Sequence, residues 1–198
     1  MEPHLTSGLD DLRTTVEQTY PLPEEAMAAL LRIWRPLEVK RKVGLVAQGE
    51  TTAYLYFVIS GLQRVYYLDE QGREATLVFT YAPSFGGVID SFLLQQPSRY
   101  YYETLTPSTF LRTSFAELDE LMRRYPAVER MIRLGTTGTL SGLLERLVEI
   151  QAFSSEEKFR ALLRRSPHIL QLVPHKYLAN YLGIDVTNFS KLLNKVRI

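Results

Sequence analysis

The chain of 198 residues contains no cysteine. That absence excludes disulfides, iron–sulfur clusters held by cysteine and zinc–thiolate sites, and it fits a reducing compartment. Histidine is nearly as scarce. Its three copies, His4, His168 and His175, all lie outside the central run of strand-like segments. A metal-dependent β-barrel enzyme, the main rival from another functional class, therefore lacks clustered ligands. No apolar stretch approaches the length of a bilayer span, and Met1-Glu2-Pro3-His4 has no apolar signal core. The expectation is a cytoplasmic protein with no membrane partner.

Acidic residues run short in one place only. Residues 154–198 hold eight Lys/Arg against three acids, a net charge of +5, whereas residues 1–153 hold fifteen against nineteen, a net of −4. The overall net charge of +1 conceals this polarity. A basic segment is what phosphate neutralisation requires, and a solubility argument gives no reason for the asymmetry. Binding to double-stranded DNA is expected, with no catalytic residues.

What is present falls into three stretches. Leu9, Leu12 and Val16 are spaced for a helix over about 5–20, and Met27, Leu30, Leu31 and Trp34 for a second one opened by Pro23 and two acids. From Pro36 the period changes to two. Strands are expected at 37–43, 53–59, 62–68, 74–81, 100–105 and 109–114, with turns at Gly49-Glu50, Ser60-Gly61 and Asp69-Glu70-Gln71-Gly72, and a loop over 83–87. Short, evenly spaced strands imply a jelly roll or β-roll. After a short helix at 115–125, Leu140, Leu143, Leu144, Leu147 and Val148 make one broad apolar face on a long helix ending near Ala152. Gly135, Gly138 and Gly142 in that helix suit close helix contact, a hinge or a break. Ser154/Ser155 with Glu156-Glu157 supply the cap of the next helix, which ends near Pro167.

The last twenty-five residues carry the clearest motif. Pro174 suits a first helical turn. Leu178, Ala179 and Leu182 give one apolar face, Gly183 supplies the turn, and Asp185 has the oxygen to cap a second helix. That second helix keeps Phe189, Leu192, Leu193 and Val196 for packing and carries Lys191, Lys195 and Arg197 with no acid. Helix, glycine turn and basic helix form a helix-turn-helix, whose second helix enters the major groove. A long apolar helix beside such a unit calls for a cover, and a twofold partner supplies it.

With these pieces in order, the chain resembles the Crp–Fnr family of bacterial regulators from about residue 25 to 198. The carrying residues are Ala47-Gln48-Gly49-Glu50, Leu55-Tyr56-Phe57-Val58-Ile59-Ser60-Gly61, Asp69-Glu70-Gln71-Gly72-Arg73-Glu74 and the tail from Val173 to Leu193. The Ser166-Pro167 and Val173-Pro174 context looks most like the branch common in Bacteroidetes-type bacteria. The resemblance implies an α+β fold. A cyclic-nucleotide-binding-like β-roll sensor with N-terminal helices would occupy 1–125, a dimerisation helix 126–152, and a (winged) helix-turn-helix 153–198. It implies a homodimeric transcriptional regulator reading a palindromic operator through the helix at 186–198, with RNA polymerase as a further partner. The alternative is a ligand-sensing or protein-interaction module whose DNA binding has degraded.

Nucleotide-binding members of the family hold the cyclic phosphate with Gly-Glu, a short helix, then Arg and Ser or Thr. Here Gly86 matches, Gly87 stands in place of the Glu, Asp90 lies about a turn away, and Ser98-Arg99-Tyr100 occupies the Arg-Ser/Thr position at longer spacing. These six residues are the ligand candidates the resemblance gives. Loss of the ribose acceptor and the hydroxyl removes two hydrogen bonds of ~1 kcal/mol each. No cofactor is assigned, the departures argue against cyclic nucleotide, and an unidentified small-molecule effector stays open. On the reading helix the resemblance turns Val186, Thr187, Asn188 and Lys191 toward base edges. His175, Lys176, Asn194 and Lys195 are the phosphate candidates.

Overall fold

The computed structural model describes residues 2–195; Val196 and Arg197, expected to pack and to charge the last helix, lie outside the described residues. The first elements are helices α1 (Glu2–Thr19) and α2 (Glu24–Arg32), then strands β1 (Arg35–Val39), β2 (Gly44–Val46), β3 (Tyr54–Ser60), β4 (Leu62–Leu68), β5 (Glu74–Tyr81) and β6 (Ser84–Gly86). Helix α3 (Ile89–Leu94), strands β7 (Tyr101–Thr104) and β8 (Ser108–Ser114), and helix α4 (Phe115–Arg124) come next. The chain continues with α5 (Pro126–Ala152), α6 (Ser155–Arg165), α7 (Ile169–Leu172), α8 (His175–Leu182) and α9 (Val186–Lys195). By packing it divides into two compact units, Met1–Val65 with Phe79–Gly138, and Tyr66–Val78 with Thr139–Ile198.

In the first unit, an antiparallel sheet runs in the order β1-β8-β3-β6. Phe57 pairs with Leu111 on one side and Phe85 on the other. Phe57, Leu55 and Leu111 bury one face of this sheet against Leu12 and Val16 of α1, Met27 and Leu30 of α2, Phe92 of α3 and Leu118 of α4. The apolar stripes of both N-terminal helices are thus core. A capping box between Ser114 and Glu117 starts α4 directly from the end of β8. The second sheet has the order β2-β7-β4-β5. Its strands β4 and β5 begin or end in this unit, while the tip of their hairpin belongs to the other.

The structure corrects two expectations. The alternating stretch at 37–43 is two strands, because Lys42 takes φ 59° and turns the chain between β1 and β2. Period-two patterning continues through a tight turn, so it hides one. Residues 83–87 are not all loop: Ser84–Gly86 forms β6. For the glycines of α5, where close contact, a hinge or a break were all open, the structure has one continuous helix over 126–152.

The second unit is built around Phe159 and Leu162 of α6, Ile169 of α7, Leu178, Ala179 and Leu182 of α8, and Phe189 and Leu192 of α9, all buried. Phe159 meets Phe189 edge to face, with centroids 5.4 Å apart. Ser154 and Glu157 make the capping box that starts α6.

Candidate nucleic-acid interface and the closed β-roll

The reading end is fixed by its turn. Gly183 closes α8 at φ 65°, the left-handed conformation that glycine adopts without a Cβ penalty. The N–H of Ile184 reaches back to the Ala179 carbonyl at 3.0 Å, satisfying an orphan acceptor of the helix end. Two residues later Asp185 caps α9, its Oδ1 accepting the Asn188 N–H at 2.8 Å. Phe189 and Leu192 then point into the core. The helical period leaves Thr187, Lys191, Asn194 and Lys195 along an exposed stripe, with Val186 also exposed and Asn188 half-buried.

The phosphate candidates are less uniform. His175 and Lys176 are both exposed at the start of α8, the imidazole lying 5.5 Å from the Phe189 ring and the ammonium 4.6 Å from the Tyr177 ring. Lys195 pairs with Glu156 of α6 at 2.8 Å, and Arg160 holds the same carboxylate at 3.0 Å. These two cations, Lys195 first, hold the Glu156 carboxyl below its ordinary value. Asn194 is simply exposed.

Sequence reasoning missed Arg146 and Asn180. Arg146, on α5, sets its guanidinium 3.1 Å above the Tyr181 ring centroid and donates to the Tyr181 carbonyl, fastening α5 to α8 inside the second unit. Burial lowers its pKa to about 10, so it stays charged at neutral pH. Asn180 grips the backbone of the 66–78 hairpin. Neither had a local signal, since each partner lies 35 residues or more away.

In the β-roll the six ligand candidates have separate surroundings. Gly86 is buried, and a Cβ there would fall on the Tyr102 hydroxyl, 3.2 Å from its Cζ and 3.4 Å from Thr80 Oγ1. Gly87 has φ +122°, so its backbone gives a reason for glycine in place of the family's Glu. Asp90 and Arg99 are exposed. Ser98 is buried, but its hydroxyl turns back on the loop, donating to the Tyr100 carbonyl at 2.7 Å and accepting the Tyr100 N–H at 3.0 Å. Tyr100 is half-buried.

Next to Gly86 the roll is filled by its own side chains. The Tyr102 hydroxyl lies 3.0 Å from Thr80 Oγ1, and Gln63 bridges Thr80 at 3.0 Å and Ser108 at 2.9 Å whichever way its amide is turned. Tyr56 packs against Tyr102 and Phe110 at 5.7 and 5.4 Å. Burial pushes the Tyr102 phenol well above the ordinary tyrosine range and that of Tyr56 up to about 12. Arg64 of β4, itself buried, is paired with Glu103 of β7 at 2.6 Å. Gln63, Thr80, Tyr102 and Ser108 are partnered with one another, as are Arg64 and Glu103, and the residues present do not fit a cyclic nucleotide held by the family's Gly-Glu and Arg-Ser/Thr pairs. Among the described residues, no group of three or more His, Asp or Glu is placed to hold a metal ion, and no helix is long and apolar enough to cross a membrane.

Comparison with known proteins bears on both ends. The cyclic nucleotide-binding domain model matches residues 36–125. The fumarate and nitrate reduction regulatory protein of Yersinia pestis is 24% identical over 174 residues, covering 82% of this chain and 69% of that protein. Its Vibrio cholerae counterpart is 25% identical with the same coverage. Among solved structures, FixK2 from Bradyrhizobium japonicum has a TM-score of 0.76 at 16% identity, covering 82% of this chain and 84% of that one. The Thermus thermophilus catabolite activator protein has a TM-score of 0.53 at 21% identity, covering 89% and 84%. These likenesses establish the shared fold. With a matched nucleotide-binding-type domain over 36–125, regulators among its relatives and a common fold, the chain is similar to the regulators of the Crp–Fnr family.

Proposed function

We propose that this protein is a DNA-binding transcriptional regulator rather than an enzyme. Residues 153–198 serve as its reading unit, 126–152 as its dimerisation helix and 1–125 as a sensor domain. The observation that carries this reading is the exposed stripe of Thr187, Lys191, Asn194 and Lys195 on a helix with no acid after its cap. The names of the relatives, all regulators, support it. Lys191 is exposed and central to the stripe, suited to guanine acceptors or phosphate.

Homodimerisation follows from α5. Leu140, Leu144, Leu147 and Val148 are each about half exposed, an apolar face that a second copy covers. A twofold dimer sets two α9 helices on half-sites about one helical turn apart, and the operator is a palindrome. Cyclic nucleotide is not the signal, because the cassette residues are exposed, folded back or packed on Tyr102.

Selection of genomic fragments by the purified protein, followed by salt titration on the recovered duplex, tests the reading. Lys191→Ala should weaken specific binding by ~1–3 kcal/mol. Unchanged affinity at fixed salt sinks that role for Lys191, and recovery of no enriched sequence sinks the function.

A further inference from the structure

The hairpin tip formed by the end of β4 and the start of β5 packs with the reading unit, residues 66–78 grouping with 139–198. Strand β5 is the last strand of its sheet, so its outer edge presents main-chain donors and acceptors. One side chain of α8 meets that edge. Asn180 Nδ2 donates to the Glu74 carbonyl at 2.8 Å, and its Oδ1 accepts the Thr76 N–H at 2.6 Å. Carbonyl i and N–H i+2 lie on the same side of a strand, so a single primary amide imitates a neighbouring strand there. Only Asn or Gln carries both a donor and an acceptor in that arrangement.

The same helix face has a second occupant. Lys176 lies four residues before Asn180 and therefore one turn away on the same side of α8. It is exposed and a phosphate candidate. The hairpin brought to this face is acidic. Residues 66–78 hold the acids Asp69, Glu70 and Glu74 and one base, Arg73, a formal charge of −2. Arg73 lies on Asp69, at 2.6 Å, and both Glu70 and Glu74 are exposed. A DNA phosphate arriving at Lys176 meets this net negative charge, and like charges oppose it.

We propose that Asn180 is the latch of an autoinhibitory contact. The acidic 66–78 hairpin, clasped through Asn180, occupies the face of α8 that carries Lys176 and keeps the reading unit in a low-affinity state; DNA binds when the clasp opens. Because β4 and β5 continue into the other packing unit, a change in those strands has a covalent route to the latch. The proposal rests on the DNA-binding reading.

The test pairs two readouts on the full chain, amide hydrogen exchange at Thr76 and affinity for a mixed-sequence DNA duplex at fixed salt. Asn180→Ala should speed exchange at Thr76 and tighten duplex binding roughly five-fold or more, the lower end of ordinary coupling. The double variant Glu70→Gln/Glu74→Gln leaves the backbone clasp in place; it should tighten binding at low salt, with the gain fading as salt screens it. If Asn180→Ala speeds exchange while DNA affinity is unchanged or falls, the latch is refuted and DNA binding stands. If neither the native chain nor any variant binds the duplex, the DNA-binding reading fails and takes the latch with it. Should Asn180→Ala not fold, the charge variant decides, and unchanged low-salt affinity overturns the proposal.

Discussion

Gly86 offers the sharpest check on the claim that the roll is closed by its own residues. If the glycine serves Tyr102, Gly86→Ala should act on stability. The new methyl would fall on the Tyr102 hydroxyl, with the ring carbon behind it at 3.2 Å and Thr80 at 3.4 Å. Both neighbours are buried, so relief requires a shift in the core, and overpacking of this kind costs ~1–3 kcal/mol. Tyr102→Phe alone removes the hydroxyl and its contact with Thr80, a loss of about 1 kcal/mol; Thr80 keeps Gln63. In the double variant the methyl enters the space that the hydroxyl left, so the two costs should fall short of additivity by ~1–2 kcal/mol. Trp34 makes the assay selective. It is the only tryptophan, it is buried, and it lies 6.0 Å from Phe85 within the same unit as Gly86. Urea unfolding followed by its fluorescence reports that unit even where the whole chain is not two-state. A neutral Gly86→Ala, or strictly additive costs, would refute the reasoning.

Two further outcomes are expected. Burial raises the Tyr56 phenol to about 12 against an ordinary 10. The neutral form is therefore favoured by the fold; its contribution is intact below pH 10 and is lost as pH climbs from 10 to about 12. Tyrosinate absorbance during alkaline unfolding should show this loss, and Tyr56→Phe should flatten it; an unchanged profile contradicts the assignment. On α5, Leu144→Glu places a charge in the centre of the proposed dimer face, where the native side chain is 55% exposed in the single chain. Since a twofold axis presents each change twice, dimerisation measured by sedimentation should weaken at least ten-fold, roughly the 1.4 kcal/mol that half a buried leucine on each copy supplies. A dimer of unaltered affinity would place the interface elsewhere.

Much of this architecture could be read from local pattern. Short β-branched and aromatic runs bounded by turn signals located β3, β4, β5 and β8, and Ser154/Ser155 with Glu156-Glu157, Gly183 and Asp185 marked helix boundaries where capping hydrogen bonds form. Local pattern failed where a short element carries too few residues for a period, as in β6, α3 and α7. It also misses turns inside an alternating run, as at Lys42. The reading helix was legible because its chemistry is contiguous. The roll interior was not: Gln63, Thr80, Tyr102 and Ser108 come from four strands, and only pairing brings them together. The glycines at 86 and 87 drew attention as remnants of a ligand cassette, while their reasons are a neighbouring hydroxyl and a backbone angle.

The clasp at residues 74, 76 and 180 also bears on how such proteins are cut and recombined. A reading head taken from residue 153 onward looks self-sufficient in sequence. Yet its packing partner comes from a hairpin about a hundred residues earlier in the chain, and such distant pairing forms late and slows folding. A chimera that borrows only the terminal helices inherits a polar asparagine with nothing to grip, and its recipient keeps a strand edge with no cover. Exchange between relatives should succeed when the 66–78 ribbon travels with the head, so the heritable module is discontinuous.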